Sequence, residues 1–110
     1  MLSLKRSLMV LNDKILTLLG FAAKAGKLSY GFDTTVTAIK KGKSGLVLTA
    51  CDISEKSKKE IEFFATQRTV PYIVLKDTDI EALSKAVGRK CGIVSVNDSG
   101  FADACRKAYF

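Results

Sequence analysis

Asp52 and Ser54, a carboxylate and a hydroxyl two residues apart after an apolar run, come nearest in this chain to a catalytic pair. At a strand end, where α/β folds present ligands, such a pair would suit nucleophile and general-base chemistry. No histidine occurs in the chain, so the usual base and the commonest metal ligand are both missing, which disfavours triad-type hydrolysis. Helix capping is the better account of both residues. Cys51, Cys91 and Cys105 are odd in number and widely spaced, with no C-x-x-C pair, so they support neither a zinc site nor a redox motif. Each reads as a small buried thiol in a reducing cytoplasm. Gly42-Lys43-Ser44 has the triplet of a phosphate loop, but it leads into a strand instead of joining a strand to a helix. The motif's upstream glycine falls at Thr37. The expectation is a protein that is not an enzyme and holds no cofactor and no metal.

Binding chemistry is better represented, and it centres on residues 30–50. A glycine turn leads into a helix over 33–41, with Asp33 placed to cap it and Val36 and Ile39 on its buried side. Lys40, Lys41 and Gly42 close it as a helix C-terminus should. The Thr-Thr-Val-Thr core is β-branched and by propensity would also suit a strand; capping at both ends decides for helix. The free N–H groups of its first turn, with the hydroxyls of Thr34, Thr35 and Thr37, suit phosphate and sugar oxygens. The plain alternative is a capped helix that begins a core unit and does nothing more. Charge favours the first view. Net charge is +7, and residues 1–50 carry eight Lys/Arg against two Asp/Glu, whereas residues 51–110 carry ten against nine. A basic surplus gathered in one half of a small domain suits a polyanion, nucleic acid ahead of a membrane surface. Lys27, Lys40, Lys41 and Lys43 supply it, and Arg89 and Lys90, after Gly88, would form the second wall of a groove beside Lys40 and Lys41.

These residues need elements to hold them. A first helix capped by Asn12 or Asp13 carries the stripe Leu11, Ile15, Leu18, Leu19, Ala22 and Ala23, and Gly26 stops it. Residues 27–30 form a short extended link or an edge strand, 46–50 is a short apolar run of the kind that marks a strand covered on both faces, and 72–75 and 92–96 are two further apolar strands. Ser54 caps a third helix, with Ile61, Phe64 and Ala65 inward and residues 70–71 after it. Thr78 opens a capping box for a fourth, ended by Gly88. Ser99 starts a fifth, with Phe101 and Cys105 inward. Helices alternating with buried strands imply an α/β fold, a three-layer α/β/α sandwich on a small mixed central sheet. With 47% hydrophobic residues and one proline, residues 11–110 form one globular domain, and residues 1–10 are a loosely held N-terminal extension. No segment approaches the roughly 20 apolar residues needed to span a bilayer, so a cytoplasmic protein with no membrane partner is expected.

Read together, GFDTTVTAIKKG (31–42), LVLTACDIS (46–54), VPY (70–72), LSKAVG (83–88) and DSGFA (98–102) resemble, in order and spacing, the ribosomal-protein L-seven-Ae and L-thirty-e superfamily of kink-turn RNA-binding proteins. The DSGFA ending is similar to that of its small bacterial YlxQ-type branch. The resemblance covers roughly residues 11 to 108. It implies an RNA surface made of two parts. By position, Gly31, Phe32, Asp33, Thr34 and Thr37 form one and Arg89, Lys90, Cys91 and Gly92 the other, with Asp52 and Ile53 in the loop that borders both. RNA-binding members typically carry Asn-Glu where this chain has Asp33-Thr34, and a lysine at the place of Thr37; those side chains meet the guanines of tandem G·A pairs. The expected partner is structured RNA, ribosomal RNA or a kink-turn-containing RNA, with ribosome association. The rival is a protein-interaction module of the same fold that has lost kink-turn specificity.

Overall fold

In β2 (Leu46–Ala50) every residue is buried, and the side chains divide by the two-residue period of a strand. Leu46, Leu48 and Ala50 enter one core, with Ile15, Leu19, Leu83, Val87 and Cys105; Val47 enters the other, with Ile39, Ile61 and Ala65. β4 (Ile93–Val96) divides likewise, Val94 and Val96 to the first core and Ile93 to the second. Two strands buried on both faces must be central, and they are. The sheet order is β1-β4-β2-β3, with β1 (Leu28–Tyr30) and β3 (Tyr72–Leu75) at the edges. β2 runs parallel to β3, and β4 runs antiparallel to both β1 and β2, so the sheet is mixed. On one face α1 (Leu2–Lys24) packs against α4 (Ile80–Val87) and α5 (Ser99–Tyr109); on the other α2 (Phe32–Lys40) packs against α3 (Glu55–Gln67). This is the expected α/β/α sandwich.

The structure, a computed structural model, describes the backbone of residues 2–109 and the side chains of residues 13–109. Helix α1 runs unbroken through Asn12 and Asp13, so neither caps it. Whether residues 1–10 are loosely held turns on side chains outside the described residues. Ser54 does cap α3, its hydroxyl accepting the Ser57 N–H at 3.1 Å. The cap of α4 is Asp79 and not Thr78; its carboxylate accepts the Ala82 N–H at 2.8 Å, and Thr78 is buried. Asp98 plays the same part for α5, accepting the Phe101 N–H at 2.9 Å.

Candidate nucleic-acid interface

The start of α2 departs from expectation in an informative way. Its N-cap is Gly31, with φ 89° and ψ 171°, and no side chain caps it. A residue with a Cβ would be strained in that conformation. The Gly31 N–H donates to the Ile93 carbonyl at 2.8 Å, which fixes the turn to the first residue of β4. The first helical bond runs from the Thr35 N–H to the Gly31 carbonyl at 3.1 Å, so the N–H groups of Phe32, Asp33 and Thr34 precede it. Asp33 is therefore not the cap. It stands exposed in the first turn, where the positive end of the helix dipole favours an anion. Nor are the threonines a row of free hydroxyls. Thr34 donates to the Tyr30 carbonyl, Thr37 donates to the Asp33 carbonyl at 3.0 Å, and Thr35 points into the core with no exposed surface.

The loop of residues 88–92 and the loop of residues 50–53 meet this turn. Ala50 N–H donates to the Gly92 carbonyl at 2.9 Å. A Cβ on Gly92 would lie 2.6 Å from Ile53 Cγ2 and 3.3 Å from Ile80 Cγ1, so any larger residue would push Ile53 aside where the loops cross. Ser84 pins the loop to α4: its hydroxyl accepts the Cys91 N–H at 3.0 Å and donates to the Ile80 carbonyl at 2.6 Å. Arg89 lies over the Tyr30 ring, 4.9 Å from its centroid, which joins the loop to the strand that leads into Gly31. The 50–53 loop is fixed from both sides. Lys58 Nζ donates to the Cys51 carbonyl at 2.7 Å, and the Asp52 carboxylate accepts the Ile80 N–H at 2.8 Å. Asp52 thus caps the helix after next. Ile53 packs against both cores.

Gly31, Phe32, Asp33, Thr34, Asp52, Ile53, Arg89, Lys90, Cys91 and Gly92 accordingly share one end of the sheet, with Thr37 one turn further along α2. The lysines of the expected groove do not. Gly31 bonds to Ile93 at the start of β4, whereas Gly45 N–H bonds to the Val96 carbonyl at its end. Between them lie the 9 residues of α2, about 13 Å of helix. Lys40, Lys41 and Lys43 therefore sit at the opposite end of the sheet from Arg89 and Lys90. Lys27 joins them there, because its carbonyl accepts the Asn97 N–H at 2.8 Å, just past β4. The structure gives two basic ends and not two walls of one groove.

Tyr30, Lys58 and Ser84 organise this end, and the sequence reading passed over all three. The position of Tyr30 just before the turn glycine was the available signal. Of the thiols, Cys91 and Cys105 are buried as expected, and burial raises both pKa values, that of Cys105 to about 11. Cys51 is only half-buried, because its loop lies at the surface. Among the described residues no helix is long and apolar enough to cross a membrane.

Known proteins are similar to this chain in sequence and in fold. The chain is 31% identical over 87 residues to the large ribosomal subunit protein eL30 of Candida glabrata, covering 77% of this chain and 82% of that protein. It is 30% identical over 91 residues to the RNA-binding protein YlxQ of Enterococcus faecium, covering 82% and 85%. The solved structure of a Bacillus halodurans protein of unknown function superimposes with a TM-score of 0.82 at 28% identity, over 86% of this chain and 95% of that one. The Giardia lamblia 15.5kD RNA binding protein shares the fold, with a TM-score of 0.71 at 17% identity over 89% and 83% of the two chains. The family model of the ribosomal proteins L7Ae, L30e and S12e and of Gadd45 matches residues 13–106, from α1 across both loops and α2 into α5, and the chain belongs to that Ribosomal protein L7Ae/L30e/S12e/Gadd45 family.

Proposed function

We propose that this is a non-enzymatic, cytoplasmic RNA-binding protein, ribosomal or ribosome-associated, that docks structured, kink-turn-like RNA on the N-terminus of α2 and the loop before β4. The observation that carries the reading is that these two segments form one edge, joined by the Gly31–Ile93 hydrogen bond and the Arg89–Tyr30 contact. Uncapped N–H groups of the first turn stand there beside the exposed cations Arg89 and Lys90. N–H donors at a helix start take phosphate oxygens, and the two cations add long-range attraction. The eL30 and YlxQ relatives support the same direction, since one is a ribosomal protein and the other RNA-binding. Lys27, Lys40, Lys41 and Lys43 would meet a flanking segment of the RNA at the far end of α2.

A second reading, a protein-interaction module of this fold, is favoured by one observation. The hydroxyl protons of Thr34 and Thr37 are already donated to the Tyr30 and Asp33 carbonyls, and Asp52 is occupied at α4, so few side chains are left to read a base. One titration separates the two. A kink-turn RNA hairpin titrated with protein at low salt should be retarded in a native gel, and retardation should be lost as salt rises. No retardation at low salt would refute RNA docking and leave the interaction module.

A further inference from the structure

Among the described residues, Phe63 of α3 and Phe21 of α1 are the large hydrophobic side chains left exposed, and Phe63 is 58% so. Its ring meets that of Phe64 edge-on, with centroids 5.6 Å apart and planes at 73°. Phe63, Phe64 and Phe32, with Lys59 and Glu60, line a hollow of about 430 Å³ between α2 and α3. Phe32, the first residue of α2, belongs both to the hollow and to the edge assigned above to RNA, and from it the hollow runs along α2 toward Lys40. Its charge is uneven. The Glu60 carboxylate faces Lys56 at 4.0 Å, whereas Lys59 has no ion-pair partner among the described residues. Lys40 stands over the Phe64 ring, 5.3 Å from its centroid, and likewise has no carboxylate partner there.

An aromatic floor with two ammonium groups at its margin that have no carboxylate partner among the described residues matches a nucleotide: a flat π-face for the base and cations for its phosphate. We propose that the hollow holds one unpaired nucleobase of the RNA bound at the adjoining edge, stacked on Phe63, with Lys59 and Lys40 attracting the flanking phosphates. The proposal rests on the RNA reading above.

The test uses the full chain and a kink-turn hairpin with 2-aminopurine placed in turn at each unpaired position. Phe63→Ala should leave Tm close to that of the parent, because the ring is largely in solvent. One position should be quenched on binding the parent protein and released by Phe63→Ala, with affinity falling about five- to a hundredfold. Phe63→Tyr, which keeps the π-face, should retain both quench and affinity. If the hairpin binds and no position answers to Phe63→Ala, or affinity falls without a change in quench, the hollow is not a base site and the RNA reading stands. If the parent protein fails to bind the hairpin at low salt, both fall together. If sedimentation shows a dimer that Phe63→Ala dissociates, a second copy occupies the hollow and the proposal is overturned.

Discussion

Asp33→Asn isolates one charge at the proposed docking edge. Asp33 is exposed and makes no capping bond, so the substitution removes only a favourable charge from the first turn of α2. That costs about 0.3–1 kcal/mol, a Tm loss of a few degrees at most. Its effect on RNA should have the opposite sign. A carboxylate about 6 Å from one phosphate in water is repelled by about 0.7 kcal/mol, about threefold in affinity. Arg89 and Lys90 attract the same phosphates and are untouched. Fluorescence anisotropy with a labelled kink-turn hairpin should therefore show Asp33→Asn binding about threefold tighter at about 50 mM salt, and the gain should shrink toward about 300 mM as the Debye length falls. A loss of affinity with Tm nearly unchanged would refute the reasoning. It would mean that the Asp33 carboxylate accepts charge-assisted hydrogen bonds from guanine N–H groups, which Asn cannot match.

Gly92→Ala should cost about 1–3 kcal/mol by forcing the crossed loops apart, and Ile53→Ala in the same chain should recover part of it; thermal melts showing additive losses would contradict the 2.6 Å approach as the cause. The logarithm of RNA affinity should fall with that of salt at a slope of roughly −2 to −4, and Lys41→Glu with Lys43→Glu should flatten it only if the RNA spans both ends of α2. Thiol titration of the native protein should find Cys51 reacting well before Cys91 and Cys105, since it alone is half-exposed; equal rates would show that the burial is wrong. Cys105 keeps its proton in the folded state to about pH 11, whereas an unfolded thiol loses it near its ordinary value of 9.0. Its contribution to stability is thus present below pH 9 and lost as pH rises through 11, and Cys105→Ala should show a shallower fall of Tm over that window.

How far the sequence was legible depended on whether the signal was local. Buried strands such as 46–50 and 93–96 announce themselves as apolar runs, and the stripe of Ile15, Leu18, Leu19 and Ala22 has helical period, so elements and layers followed. Ser54 was found as a cap because its partner N–H lies three residues on. Asp52 was seen as a cap without its true object, because the N–H it accepts belongs to Ile80, on another helix. Asp33 was read as the cap of α2 because aspartate before a helical run usually is one. Here the bond from Gly31 to Ile93 sets the turn two residues earlier, and a tie between strand and turn that is 62 residues apart in sequence leaves no local mark.

The groove of lysines failed for a geometric reason. Lys40 and Lys41 are close to Asp33 in sequence, yet about 1.5 Å of rise per residue carries them the length of α2, to where Gly45 meets Val96. Arg89 and Lys90 enter β4 at its other end. The same geometry shows what the charge surplus of the first half can do. Lys27, Lys41 and Lys43 cannot share a phosphate with Arg89, so on the RNA reading a short RNA docked at the end with Gly31, Ser84 and Tyr30 leaves those three lysines unused. There the backbone donors are held by a strand bond, a side-chain clamp and a ring contact before any ligand arrives. A pre-formed edge of this kind loses little conformational freedom on binding, whereas three exposed lysines must each give up side-chain entropy to hold one phosphate. On the proposed RNA reading, the far lysines are suited to strengthening the hold on a longer RNA and to setting its salt dependence, while the α2 edge would fix where the RNA sits.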